Sequence, residues 1–238
     1  MGGACRLVAT FVLVHGSWHG GWCWSRLAPL LRAGGHDVFA PTLTGMGERA
    51  HAAPPEIRLS THVDDVLELL RFEDLRDVVL VGHSYAGMVV TGVAGRDASR
   101  LGSLVYLDAY LPDPGESEAD VWPPSLAVGA KADLAAGRTH RAMPPMAFFG
   151  LEGPDAEWAK ARLTPQPLSV YLDPAIREPL PGVPARFIHC VRGPLASVFA
   201  TFAQRARARG WPVDELATGH DAMITKPKEL AELLLRAA

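Results

Sequence analysis

The strongest chemical signal in the chain is Gly82-His83-Ser84-Tyr85-Ala86-Gly87. These six residues follow a short apolar, β-rich run at 77–81 and precede a small-residue stretch, 85–95, that reads as a helix. A serine on so sharp a strand-to-helix turn presents its hydroxyl as a nucleophile. The helix start behind it offers unpaired N–H groups and the positive end of a dipole, where an oxyanion can gather. A glycine-rich turn with a capping serine is the plainer reading, but strand, turn and helix all agree with the first. The usual second glycine of G-x-S-x-G is Ala86 here, which predicts an added methyl at a tight contact.

A serine nucleophile needs a base, and nine histidines are available. His220 has the best address: Thr218-Gly219-His220-Asp221 joins a strand run at 213–216 to a closing helix at 228–237. A loop at the end of a late parallel strand reaches the same sheet edge as Ser84. His83 is too close in sequence to swing under Ser84, and His189 lies inside the strand run 186–191. A structural loop histidine is the alternative for His220. At the front, His15-Gly16-Ser17-Trp18-His19-Gly20-Gly21 follows the first apolar run, 8–15. A turn at Gly16 can aim the N–H of Ser17 or Trp18 at a reacting carbonyl, with the N–H of Tyr85 as second donor. Such a donor is typically worth ~10²–10³ in rate. His15 and His19 have helical metal-pair spacing, but glycines follow and no third ligand is evident, so no metal is expected.

Several elements must hold these residues. Strand runs at 8–15, 36–40, 77–81, 104–107, 186–191 and 213–216 alternate with helical stretches at 24–33, 61–70, 85–95, 195–209 and 228–237. Thr61-x-x-Asp64 resembles a capping box at the start of the clearest helix. Strands separated by helices of this length predict a mostly parallel central sheet with helices on both faces, an α/β fold. One region breaks the rhythm. Thirteen of the 20 prolines lie between Pro112 and Pro184, a density that chops helices and bars continuous strands. Trp122, Met143, Met146, Phe148, Phe149, Trp158 and Tyr171 fall in the same region, more large apolar groups than a disordered linker carries. The division is therefore a core of 1–111 and 184–238 and an ordered lid, 112–183.

Composition excludes other classes. With 23 Lys+Arg against 26 Asp+Glu the net charge is −3, so no nucleic-acid or anionic-membrane partner is expected. Arg205, Arg207 and Arg209 fan around a helix and read as a solvated face. Cys5, Cys23 and Cys190 are odd in number and lack C-x-x-C spacing, which predicts neither a disulfide framework nor a thiolate metal site. The first apolar run is too short for a span and lacks a signal-peptide cleavage pattern, so the expectation is a cytoplasmic protein.

The segments F-V-L-V-H-G-S-W-H-G-G-W at 11–22, P-T-L-T-G-M-G-E-R at 41–49, V-G-H-S-Y-A-G-M at 81–88 and T-G-H-D-A-M at 218–223 resemble, in order, the α/β-hydrolase fold superfamily. They are most similar to the branch holding plant methylesterases, plant hydroxynitrile lyases and bacterial esterases. The resemblance spans nearly the whole chain outside the lid. It implies Ser84 as nucleophile, His220 as general base and oxyanion donors near Ser17 or Trp18 and Tyr85, with no cofactor. The lyases carry threonine at the position of Gly16 and lysine just after the catalytic histidine. Asp221 stands at the latter position here, which removes the cation that would stabilise cyanide.

The third member departs from the branch pattern. In the plant proteins the acid follows the strand corresponding to 186–191, yet residues 191–197 contain no carboxylate. Other hydrolases of the fold hold it one strand earlier, in a string like Tyr106-Leu107-Asp108. Either strand end can reach the far nitrogen of the histidine. Asp108 is therefore the expected acid, with Asp214, Asp221 and a purely structural Asp108 left open.

The implied function is cleavage of a carboxylic ester of small-to-medium, hydrophobic or aromatic character through an acyl-enzyme. Trp18, Trp122 and Phe148 head the expected pocket wall, joined by Met143, Met146, Phe149 and Trp158. A lactonase, thioesterase or cyclase would use the same triad. A lyase, or a binding protein without turnover, would use the same pocket. The expected partner is a small ester, and a homodimer is left open.

Overall fold

The computed structural model describes residues 8–52, 56–175 and 182–238; Cys5, the third cysteine of the sequence reading, falls outside them. The first half runs β1 (Thr10–Val14), α1 (Ala28–Ala33), β2 (Asp37–Phe39), α2 (Leu59–Phe72), β3 (Val78–His83), α3 (Ala86–Arg96) and β4 (Leu101–Leu107). An insertion then carries α4 (Pro124–Ala135), β5 (His140–Arg141), α5 (Gly153–Lys160), β6 (Gln166–Pro167) and α6 (Leu168–Leu172). The chain returns with β7 (Ala185–Cys190), α7 (Ala196–Ala208), β8 (Val213–Leu216), α8 (Ala222–Thr225) and α9 (Pro227–Leu234). The six strands β1–β4, β7 and β8 form one sheet in the order β2-β1-β3-β4-β7-β8, every pairing parallel.

Strand alternation explains how the sheet is covered. Val12, Val14, Leu80, Leu104, Tyr106 and Phe187 project to one face, where they pack with Val66 of α2, Val90 of α3 and Phe202 of α7. Their neighbours Phe11, Leu13, Val81, Val105, Leu107 and Ile188 project to the other face, against Leu31 of α1 and Leu230 and Leu234 of α9. A parallel strand buried on both faces has no polar side to display, which is why β3 reads as unbroken V-V-L-V and is buried throughout. Burying each such side chain is worth about 1.5–3 kcal/mol. No helix among the described residues is long and apolar enough to cross a membrane.

Several local expectations shift. The helix foreseen from residue 24 begins instead with a 3₁₀ turn, Gly21–Trp24, and becomes α-helical only at Ala28. The start of α2 is not capped by Thr61 with Asp64. Thr61 lies inside the helix, its hydroxyl accepts the Arg58 N–H at 3.1 Å, and the Asp173 carboxylate accepts the Leu59 N–H at 2.8 Å. Asp64 pairs with Arg96 instead. The arginines of α7 and its end are not simply solvated: Arg205 donates to Glu116 at 3.0 Å, Arg209 to Asp113 and Arg207 to Glu215. Two of the three thus tie α7 to the start of the insertion.

The insertion packs on itself among the described residues. Its ends meet where Ser117 bridges Pro174 and the Ala175 N–H donates to the Glu116 carbonyl at 2.9 Å. β5 and β6 form a two-residue antiparallel ribbon, and Ala119, Ala130, Leu168 and Tyr171 make a small core of their own.

Candidate active site

The residues singled out for chemistry gather at the carboxyl edge of the sheet. Three of them, Trp18, Ser84 and Asp108, hold left-handed backbone conformations with φ of +63°, +55° and +40°. Non-glycine residues seldom adopt this region, so the surroundings must impose it. At Ser84 they do: its N–H donates to the Leu107 carbonyl at 3.2 Å, and its carbonyl accepts from Gly87 and Tyr110 at 3.0 and 3.1 Å. At Asp108 the N–H donates to the Ile188 carbonyl at 2.7 Å.

The close approach behind the elbow falls at Gly87, not at position 86. A Cβ on Gly87 would lie 1.9 Å from the Tyr110 carbonyl oxygen, whereas the methyl of Ala86 is simply buried. The altered G-x-S-x-A-G string therefore keeps its glycine where backbone meets backbone. Gly16 packs directly behind the serine, where a Cβ would stand 2.7 Å from Ser84 Cβ. The next two N–H groups, of Ser17 and Trp18, and that of Tyr85 at the start of α3 have no backbone acceptor among the described residues. The side chain of Tyr85 points away from the cavity into the core, hydrogen-bonded to His62 Nδ1 at 2.9 Å.

His220 Nδ1 lies 2.6 Å from Asp108 Oδ2. Asp108 Oδ1 accepts the Cys190 N–H at 3.0 Å, so both carboxylate oxygens are engaged as acceptors. Burial pushes the Asp108 carboxyl above its ordinary range, against the pull of its hydrogen bond to His220. Phe199 stacks on the His220 ring at 4.7 Å, holding its plane. Ser84 and His220 line one cavity without a hydrogen bond between them, a separation common before substrate binds. The two other carboxylates considered as the acid are engaged elsewhere: Asp214 between Arg186 and Arg236, and Asp221 with His19 Nε2 at 3.2 Å.

Three other histidines near the site or singled out in the sequence are held by hydrogen bonds to the backbone. His15 donates to the Gly16 carbonyl and accepts the Leu43 N–H at 3.0 Å, and burial lowers its pKa to about 3. His83, also buried, is held well below the usual value by burial and then by the neighbouring His220 and His19; its Nε2 donates to the His220 carbonyl at 3.1 Å. His189 lies in β7 with Nε2 against the Ala196 carbonyl. His83, His220 and Asp221 offer ligand atoms within 4.8 Å of one another. Hydrogen bonds engage His83 Nε2, His220 Nδ1 and Asp221 Oδ2, and leave His83 Nδ1 and Asp221 Oδ1 without a partner. Cys23 and Cys190 are free and buried, and burial raises both thiols well above their usual range.

The cavity has aromatic walls of Trp18, Trp122, Phe148, Phe149 and Phe199, and leaves about 10 Å³ of free space, no more than one water's worth. Three residues expected in the wall lie elsewhere. Met143 is exposed, Met146 packs beside the core, and Trp158 packs on Trp22 at 5.2 Å. Gly16 and Tyr85 contribute backbone rather than cavity surface. The sequence reading missed Tyr110, Glu118, Arg141, Leu195 and Phe199. Larger surface grooves exist, and one of about 470 Å³ runs along α2 from Pro41 to Glu73, away from Ser84.

A six-stranded parallel sheet with a serine on the turn after β3 and a histidine after β8 defines an α/β hydrolase. The chain belongs to the Alpha/beta hydrolase family, whose model matches residues 11–233. It is 41% identical over 241 residues to the carbendazim hydrolyzing esterase of Nocardioides sp. (strain SG-4G), covering 95% of this chain and 98% of that one. Methylesterase 7 of Arabidopsis thaliana is 30% identical over 254 residues, 96% of this chain and 95% of that one. An extracellular alpha/beta-hydrolase from a Paenibacillus species superposes with a TM-score of 0.82 at 25% identity, covering 97% of this chain and 99% of its own. Within the family this chain is an esterase-type enzyme that cleaves esters.

Proposed function

We propose that the esterase acts through a Ser84–His220–Asp108 triad and an acyl-enzyme on a small-alcohol ester of a hydrophobic or aromatic acid. The observation that carries this reading is the 2.6 Å contact between His220 Nδ1 and Asp108 Oδ2, with His220 and Ser84 on one closed aromatic cavity. His220 removes the Ser84 proton as Oγ adds to the ester carbonyl, and Asp108 holds the Nδ1–H tautomer and stabilises the imidazolium. The oxyanion collects at the N–H groups of Tyr85 and of Ser17 or Trp18. His220 then returns the proton to the departing alcohol. A water enters and adds to the acyl carbon as it loses a proton to His220. His220 passes that proton to Ser84 Oγ as the acyl bond breaks and the acid leaves.

The methylesterases among its relatives support a small alcohol half, and the ring-lined cavity supports an aromatic acyl half. The small free space supports reading 112–183 as a lid, in which the segment bearing Trp122, Phe148 and Phe149 shifts to admit substrate. We place the enzyme in the cytoplasm, a reading supported by the free thiols of Cys23 and Cys190. The net charge of −3 fits a small-molecule partner rather than nucleic acid, and a homodimer is compatible with it.

Intact mass after fluorophosphonate treatment tests the mechanism without the natural substrate. One adduct is expected on the wild type, none on Ser84→Ala, and much slower labelling of Asp108→Asn. Equal labelling of Asp108→Asn would remove Asp108 from the triad, and labelling of Ser84→Ala would remove the nucleophile.

A further inference from the structure

His83 stands too close to Ser84 to act as its base, yet the fold ties its side chain to the base itself. Strand alternation turns it to the same face of the sheet as Val79 and Val81, the face packed by α1 and α9. There it meets the loop after β8. Its Nε2 lies 3.1 Å from the His220 carbonyl oxygen, and its ring lies 4.5 Å from the His220 ring. A carbonyl can only accept, so Nε2 carries the hydrogen and Nδ1 is bare.

Three observations single out this contact. The His220 carbonyl receives no main-chain N–H among the described residues, and the Cys190 thiol near it, at 4.0 Å, is a weak donor. The His83 ring is fully buried while its Nδ1 has no hydrogen-bond partner, a cost that an apolar side chain there would avoid. Gly16 leaves room for the ring: a Cβ at that residue would stand 3.0 Å from His83 Nδ1.

The groups around the ring suit a neutral donor. His15 and His19 face it from the turn after β1, His220 from the loop after β8 and Asp221 from the start of α8. Asp221 is the one carboxylate among them. Its Oδ1 lies 3.7 Å from His83 Nε2, beyond hydrogen-bond reach, and its Oδ2 is engaged by His19. Burial, then His220 and His19, hold His83 well below the usual histidine range. His83 and Ser84 are consecutive residues, so a bond from the His83 ring to the His220 main chain fixes the base against the nucleophile's own peptide. Asp108 orients the imidazole, and His83 holds the loop that carries it.

We propose that His83 is a positioning residue, whose Nε2–H, given to the His220 carbonyl, sets the distance between the His220 ring and Ser84 Oγ. This inference rests on the Ser84–His220 reading of the site.

The test compares His83→Gln with His83→Met, side chains of similar length of which only the first keeps an N–H to donate. For each, kcat and KM with 4-nitrophenyl acetate, the rate of fluorophosphonate labelling of Ser84 and the melting temperature are measured. His83→Met is expected to lower kcat and the labelling rate together by roughly 10- to 100-fold, with KM changed less than about threefold. His83→Gln is expected to recover most of that loss. A role in packing alone would shift the melting temperature and leave labelling of the folded enzyme near that of the wild type. A loss below about tenfold in folded His83→Met, or a His83→Gln enzyme no faster than His83→Met, overturns the proposal and leaves the esterase reading intact. A wild type that neither takes up fluorophosphonate nor turns over the ester overturns both. Nitrogen NMR of labelled histidines in the wild type does not depend on a variant folding. It should show His83 as the neutral Nε2–H tautomer near neutral pH, and an Nδ1–H or doubly protonated ring overturns the proposal.

Discussion

Two buried histidine–carboxylate pairs lie side by side beneath the cavity, and they differ in what is left over. In the first, His220 spends Nδ1 on Asp108 and retains a nitrogen on a ring that lines the cavity. In the second, His19 spends both: Nδ1 donates to the Ser17 carbonyl at 2.8 Å and Nε2 to Asp221 at 3.2 Å. Acceptors at both nitrogens favour the protonated ring. Burial alone would lower its pKa, but the charge and hydrogen bond of Asp221, with the Ser17 carbonyl, raise it. His83 stands between the pairs, its ring 4.5 Å from that of His220 and 6.0 Å from that of His19. Proximity to a carboxylate therefore does not make a base. A base needs one nitrogen held and the other facing the reacting group.

The largest effect should separate the pairs outright. Asp108→Asn is expected to lower kcat by about 10⁴, because the amide favours the wrong tautomer, with little change in melting temperature. A loss below tenfold would mean that another acceptor orients His220. Asp221→Asn should do the reverse, destabilising the fold by about 3–5 kcal/mol at pH 6 by stripping a buried cation of its partner. Its kcat in the folded fraction should fall far less than that of Asp108→Asn. Chemical denaturation alongside ester turnover measures both, and equal kcat losses would merge the two roles.

The smallest effect concerns pH. A histidine whose pKa is raised on folding contributes stability that is fully present below its unfolded value of 6.5 and is lost as pH rises through the folded value. The stability gap between wild type and Asp221→Asn should accordingly narrow on going from pH 6 to alkaline pH. A gap that widened with pH would mean that His19 is neutral in the fold.

Legibility in the sequence followed the range of the interaction. Ser84 could be found because strand, turn and helix are neighbours in the chain. His220 could be found because a loop after a late parallel strand lies at the same sheet edge. Asp108 needed the strand order as well, since it meets its partner across β7, 112 residues away. Glu118 and Arg141 left no local trace. A glutamate in a 3₁₀ turn and an arginine in a two-residue ribbon are ordinary surface residues until the insertion folds them together. Trp18, Trp122, Phe148 and Phe149 share the cavity lining with Glu118 and Arg141, charges that the expectation of an apolar wall did not include. The same omission applied to Arg205 and Arg209, whose partners on the insertion no helical wheel displays.

The bare contact of Gly87 with Tyr110 sets where this molecule can bend. With no side chain between them, the backbone leaving β4 is pressed onto α3, and the Tyr110 N–H closes on the Ser84 carbonyl at 3.1 Å. Arg205 adds a stitch to the Leu111 carbonyl at 3.1 Å. Any swing of the insertion must pivot beyond Leu111. The amides of Ser84, Asp108 and Tyr110 would then exchange with solvent only when the whole sheet opens, however often the rings above them part.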